Sequence, residues 1–181
     1  MFPILETARL ILRPPRSEDF EPWAAMMADE EAARFIGGRQ SRAEAWRTLC
    51  TMSGAWTIRG FSVFSVIDKQ SGRWIGRIGA WQPEGWPGTE VGWALDRSAW
   101  GKGYAFEGAA AAIDWAFETL GWTEVIHCIA AENLRSIALA ERLGSRWQRR
   151  ALLPAPRNIW SEIYGQGREA WQARHPATAR R

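Results

Sequence analysis

Two glycines bracketing a lysine, Gly101-Lys102-Gly103, stand in "DRSAWGKGYAFEGAAAAIDWAF", residues 96–117. A strand-like run, Val91 to Leu95, comes just before, and an alanine-rich amphipathic segment follows. Glycine is unfavourable in regular structure and useful where backbone bends sharply or comes close to another group. Amides at a helix start have no intrahelical partner and carry the positive end of the dipole, so a strand–glycine loop–helix unit is a ready phosphate cradle. The P-loop pattern GxxxxGK(S/T) is absent, and the dinucleotide fingerprint GxGxxG fails at Phe106. Taken alone, the loop fits a structural turn as well as a ligand site.

Other reactive side chains offer less. His127 and Cys128 are adjacent, but neighbours on a strand point to opposite faces and cannot form a thiolate–imidazolium pair. Cys128 reads as a buried structural cysteine. His175 lies near the C-terminus, and no ligand cluster with metal spacing exists, so no metal is expected. Cys50 is the second cysteine, and the pair form neither a CxxC nor a disulfide framework. The N-terminal segment has no basic leader, and no apolar run is long enough to cross a bilayer. These features predict a soluble cytoplasmic protein with no membrane partner.

With 181 residues, 46% hydrophobic and 24% charged, the chain has the make-up of one globular domain over 1–181, its core about 7–165 and a C-terminal tail about 166–181. The tryptophans number 13, and packing explains them better than an aromatic ligand cage. Charge is uneven: Arg146, Arg149, Arg150, Arg157, Arg168, Arg174, Arg180 and Arg181 face only Glu162 and Glu169 in the last third. A solvated rim accounts for that better than an anionic partner.

The elements that would position the loop follow from pattern. "ARLILRP" (8–14) reads as a first strand, and Ser17, Glu18 and Asp19 supply the cap and acidic first turn of a helix to about Ala28. "SRAE" (41–44) is a capping box opening a helix toward Thr57, after a turn over Arg34–Arg39. Segments 61–68 and 73–81 flank "KQSG" as a hairpin, and 89–96 makes another strand. Apolar spacing from Ala105 to Leu120 gives a helix with one buried stripe. "EVIHCIAA" (124–131) reads as a buried central strand, and Asn133 to Gly144 as a helix with a cap at each end. Strands near 146–151 and 158–164, then a short helix with a frayed tail, complete the chain.

Three stretches resemble one family. "WGKGYAFEGA" is similar to the W-G-K/R-G-Y-A-T-E-A stretch of the GNAT acetyltransferase branch that includes the ribosomal-protein N-terminal (alanine/serine) acetyltransferases. "LETARLILRPPRSEDFEPW" resembles that branch's T-x-R-L-x-L-R-P…D signature, and "AAENLRSIALAERLGSRW" its N-x-x-S-x-x-x-x-E-x-L-G-F element. Together they run from Thr7 to Trp147 in the family's order. Departures are Trp100 for Gln/Arg at the loop's first position, Phe106 for threonine, and Ser145 for phenylalanine, whose aromatic role Trp147 could take.

The resemblance implies an α/β (α+β) single-domain GNAT fold with a mixed, mostly antiparallel sheet flanked by helices. It implies transfer of an acetyl group from acetyl-CoA to a primary amine, a protein N-terminus or a small molecule, by direct attack in a ternary complex. Trp93, Ala94 and Leu95 would offer backbone partners to the pantetheine arm. The amides of Gly101, Lys102, Gly103, Tyr104, Ala105 and Phe106 would hold the pyrophosphate, and Asn133 would reach the cofactor chain or simply cap its helix. Glu90 is the implied base, against a reading as an exposed strand carboxylate; Ser136 is the implied acid, against a helix back-bond. Glu141 stands about where many relatives carry an acidic tyrosine. Acceptor walls would come from the Arg34–Arg39 turn, "QPEGWPG" and "LLPAPRN", with Trp86 and Trp160 as candidates. Rival readings are a catalytically weak acyl-CoA sensor or interaction module and, less supported, a nucleic-acid-associated protein using the basic tail. Monomer and homodimer both remain open.

Overall fold

A computed structural model describes residues 2–175. Eight strands form one sheet in the order β1-β2-β3-β4-β5-β6-β8-β7. They are β1 (Leu5–Glu6), β2 (Leu10–Arg13), β3 (Val63–Asp68), β4 (Trp74–Trp81), β5 (Glu90–Leu95), β6 (Glu124–Ile129), β7 (Arg146–Leu152) and β8 (Trp160–Gly167). All neighbours are antiparallel except β5 and β6. The helices are α1 (Phe20–Ala28), α2 (Glu30–Ala33), α3 (Arg42–Arg59), α4 (Tyr104–Glu118), α5 (Leu134–Arg142) and α6 (Arg168–Arg174). This is the expected single-domain architecture. The tail expected over about 166–181 is ordered in its first part, where β8 runs to Gly167 and α6 follows with Trp171 buried, and 176–181 lie outside the described residues. No described helix is long and apolar enough to cross a membrane.

Both sheet faces are covered, so strand alternation sends successive residues to different cores. Val63 and Ala94 pack with Trp23, Met26, Leu49 and Met52 of α1 and α3. Phe64 and Leu95 pack on the other side with Ala109, Ala112, Ile113 and Ala116 of α4. Several tryptophans do serve packing: Trp56 lies 4.8 Å from the Phe64 ring and 5.8 Å from Trp115, and Trp23 lies 5.9 Å from Trp74.

The sequence motifs become contacts. Ser41 and Glu44 form the expected capping box of α3. Asp19 does more than complete an acidic first turn. Ser17–Asp19 wind into a 3-10 turn, and the Asp19 carboxylate faces inward, 2% exposed. It accepts both Arg13 guanidinium nitrogens at 2.8 Å, the Arg16 amide at 2.8 Å and the Ser65 hydroxyl at 2.7 Å. Burial alone would raise its pKa, but these donors together hold the carboxyl below the ordinary range. The "R-P…D" spacing is thus a buried ion pair stitching β2 to the start of α1.

Removing one member of such a pair leaves an uncompensated buried charge, which typically costs ~3–5 kcal/mol. Asp19→Ala is expected to lower unfolding free energy by about that much, read from the urea midpoint. Because this carboxyl is held below its unfolded value, its stabilisation is present above the unfolded pKa and is lost as pH falls through the folded one. A loss under 1 kcal/mol would refute the account.

Candidate active site

The site begins where β5 and β6 part. These parallel strands register at a single pair, Glu90 with Ile126, next to the bond from the Ile126 amide to the Thr89 carbonyl at 2.9 Å. Beyond it, side chains bridge the widening gap. One Glu90 oxygen accepts the Cys128 amide at 3.2 Å, and His127 Nδ1 meets the Val91 carbonyl at 2.6 Å. A carbonyl only accepts, so Nδ1 carries the proton and Nε2 accepts from the Ser145 hydroxyl at 3.0 Å. Burial drives the His127 pKa down to about 4, so the imidazole is neutral at pH 7.

A cavity of about 100 Å³ opens at this parting. Glu90, Trp93, Asn133 and Ser136 all line it, with Trp81, Trp86 and Cys128. Glu90 is not an exposed strand carboxylate: it is 8% exposed, and its second oxygen accepts the Trp86 indole N–H at 2.6 Å. Burial raises its pKa, opposed by the Cys128 amide and Trp86. The Cys128 thiol is pushed well up, by burial first and then by the Glu90 charge beside it, which makes it a poor nucleophile. The Asn133 carboxamide oxygen caps α5 by accepting the Ser136 amide at 3.2 Å, and the Ser136 hydroxyl accepts from the Trp93 indole at 3.2 Å. Neither tyrosine lines the cavity. Trp160 does not line it either: it is 56% exposed and packs under Arg150, so the wall comes instead from its neighbours Ile159 and Ser161. Trp81, Trp86 and Trp93 do form an aromatic wall, beyond the packing role expected of the tryptophans.

The glycine loop lies apart from this cavity, at the far end of β5. Gly101 and Gly103 have φ of +72° and +80°, a left-handed conformation that strains any side chain. Gly103 is the N-cap of α4 and provides no side-chain cap, so the first amides, at Tyr104, Ala105 and Phe106, have no cap partner. A Cβ on Gly101 would meet nothing within 4 Å, which leaves its outer side open. Arg9 fixes the loop from behind. Its guanidinium donates to the Lys102 carbonyl at 2.8 Å and to Glu107 at 2.6 Å, and it covers the Tyr104 ring at 4.6 Å. Thr7 also donates to Glu107, at 2.6 Å. The Trp100 indole donates to the Leu95 carbonyl at 2.8 Å, so part of the hydrogen-bonding capacity of Leu95 is already used. On β5 the Trp93–Leu95 backbone pairs with β4 on one side and registers with no strand on the other.

Several charged groups at the site escaped motif reading. Arg135 covers the Trp100 ring at 4.9 Å and Arg142 the Phe106 ring at 5.0 Å, giving the loop a cationic rim. Arg77 and Arg157 line the cavity with Glu90. Burial first, then the like charge of Arg157, lowers the Arg77 pKa to about 10, while Glu90 opposes this. The lone charge within "WIGRIGAW" was the available signal for Arg77. No group of three or more His, Cys, Asp or Glu residues able to hold a metal occurs among the described residues.

A family model described as the acetyltransferase (GNAT) domain matches residues 9–146. A solved acetyltransferase from Agrobacterium tumefaciens is 31% identical, covers 93% of this chain and 96% of its own, and superposes with a TM-score of 0.83. The uncharacterized protein YkkB of Bacillus subtilis is 32% identical over 92 residues, 50% of this chain, which spans only 54% of that protein. A ribosomal L7/L12 alpha-N-protein acetyltransferase solved in complex with coenzyme A shares the fold, with a TM-score of 0.74 over 93% of this chain and 99% of its own at 14% identity.

The neutral, buried His127 yields a stability prediction. Its folded pKa of about 4 lies below the ordinary 6.5, so the unfolded chain binds more protons as pH falls. Its contribution is full above pH 6.5 and drains away toward pH 4, by ~3 kcal/mol at ~1.36 kcal/mol per unit. Urea unfolding from pH 7 to 4 should show that slope, and His127→Asn should reduce it. An unchanged slope would rule out the neutral imidazole.

Proposed function

The chain belongs to the acetyltransferase (GNAT) family, whose members take an acetyl group from acetyl-CoA, and from that premise we propose that it acetylates a primary amine in a ternary complex. The observation that carries the proposal is the pairing of an uncapped glycine-bracketed helix start with a buried carboxylate at the strand parting. Gly101 to Phe106 would hold the pyrophosphate through main-chain N–H groups, with Lys102, Arg135 and Arg142 adding positive charge. The unpaired side of Trp93 and Ala94 would take the pantetheine arm as an added strand, and the Asn133 side chain would meet it from α5. Acetyl-CoA supplies an activated thioester; the chain's own residues position and exchange protons.

An α-amino group titrates near ~8 and a lysine near ~10.4, and only the neutral amine attacks. Glu90 would take that proton. Its raised pKa brings it nearer the amine's than an ordinary glutamate and makes it a better base once ionised. The Ser136 hydroxyl accepts from Trp93, so its own O–H can point into the cavity toward the departing sulfur. Cys128 has no part in a covalent route. The motif match to the ribosomal-protein branch supports a protein N-terminus as one acceptor class and a small amine as the other.

Two variants test the halves separately. Gly101→Val puts a side chain on the open outer face of the loop and is expected to weaken acetyl-CoA binding at least tenfold by calorimetry in a folded protein. Glu90→Gln should leave that binding intact while lowering kcat/KM by ~10²–10⁴, the range for a general base. In the wild type kcat should rise with pH through an inflection above the usual carboxylate range, and the Gln variant should lack it. Tight binding with no turnover on any amine would leave a sensor module; no binding at all would end the proposal.

A further inference from the structure

Arg77 and Arg157 pose a problem the transfer reaction does not use. Arg77 Nε and Arg157 Nη1 are buried, and neither has a hydrogen-bond partner among the described residues. No ion pair within 4 Å reaches either guanidinium from a described residue. The nearby carboxylate, Glu90, is occupied by Trp86 and Cys128. Buried guanidinium nitrogens without acceptors are costly, and a native fold keeps such groups when something else satisfies them. Arg77 is fixed from behind by the Trp23 ring at 5.5 Å, and Arg157 Nη1 would sit 3.4 Å from a Cβ on Gly37, so the loop before α3 closes over it.

Charge counting indicates what is missing. The charged side chains lining the cavity are Arg77, Arg157 and Glu90, since His127 is neutral. With Glu90 ionised the cavity holds one excess positive charge, and one monoanion cancels it. A dianionic phosphate would overshoot. Guanidinium forks match the planar geometry of a carboxylate. Ile36, Met52, Trp81 and Trp86 make part of the wall apolar and suited to a short carbon skeleton, beside the polar His127, Asn133, Ser136 and Ser161.

We propose that Arg77 and Arg157 bind a carboxylate of the acceptor, so that the acceptor is a small amino acid-like molecule presenting its amine toward Glu90. The assignment rests on the amine-acceptor reading above and narrows it. A peptide N-terminus, whose nearest carbonyl is a neutral amide, could accept a hydrogen bond there but would leave the excess positive charge uncancelled. Arg77 enters on β4 and Arg157 on the β7–β8 loop, so elements far apart in sequence converge on one anion.

Binding of reaction products tests this without requiring turnover. With saturating CoA present, calorimetry compares N-acetylmethionine, N-acetylphenylalanine and 4-acetamidobutanoate with their primary amides. At least one acid is expected to bind tenfold or more tightly than its amide in the wild type. That ratio should fall below about threefold in Arg157→Ala and in Arg77→Met, with melting curves showing both folded. Arg157→Ala keeps the test available should Arg77→Met misfold, because no hydrogen bond of the described fold uses the Arg157 side chain. Equal binding of acids and amides in the wild type, or a preference that survives Arg157→Ala, overturns the proposal. Discrimination by charge without acetylation of any amine would retain the anion site and reject acetyl transfer. Acetylation of amines with no preference for acids would do the reverse.

Discussion

Two parallel strands that meet at one residue pair and then separate set the terms for everything at the centre of this protein. A sheet that opens leaves main-chain N–H and C=O groups facing each other across a gap too wide for direct bonding, and buried backbone polar groups need partners. Here Glu90 answers for the Cys128 amide and His127 for the Val91 carbonyl. Both side chains are thereby structural. They prop the gap at a fixed width and dry its inner end, and the same burial moves their protonation in opposite senses: Glu90 toward holding a proton, His127 toward losing one. A carboxylate recruited to mend a sheet thereby acquires an elevated pKa, which suits the base role proposed for it.

The glycine loop depends on a second tie, from the N-terminal strand. Glu107 sits in the first turn of α4, where its charge would compete with any anion at the helix start. Arg9 and Thr7 draw it sideways and neutralise it, and the Arg9 guanidinium also fixes the Lys102 carbonyl. Amides therefore point outward with their dipole unopposed while the carbonyl side is fastened down. The exposed face of the loop can be bare because its buried face is so well held.

This division explains what the sequence revealed. Each motif that could be read proved to be a local or pairwise contact between residue types with few alternatives: Arg13 with Asp19, Ser41 with Glu44, Asn133 with the Ser136 amide, Glu107 with Thr7 and Arg9. Strand and helix positions followed from alternation and capping for the same reason. The role of Asp19 was legible only in part: it closes the first turn on the Arg16 amide, as an acidic residue there can, but only the third dimension brings Ser65 against it. The convergence of Arg77 with Arg157 was opaque, the two being far apart in sequence and joined only by a cavity that both line. Trp160 misled because its strand was read correctly but its face was not.

The arginines also bear on how strong a base Glu90 can be. The positive charge of Arg157 lowers the Glu90 pKa, working against burial. An acceptor carboxylate paired with that guanidinium would cancel its field at Glu90 and add a negative charge of its own nearby. Both changes would raise the proton affinity of Glu90, and under the proposed mechanism both would occur only when the acceptor amine has arrived. In the resting site Arg157 opposes the effect of burial on Glu90, and under the proposed mechanism the loaded site would make the carboxylate more basic. The buried positive charge would then serve acceptor choice and proton transfer by one electrostatic coupling.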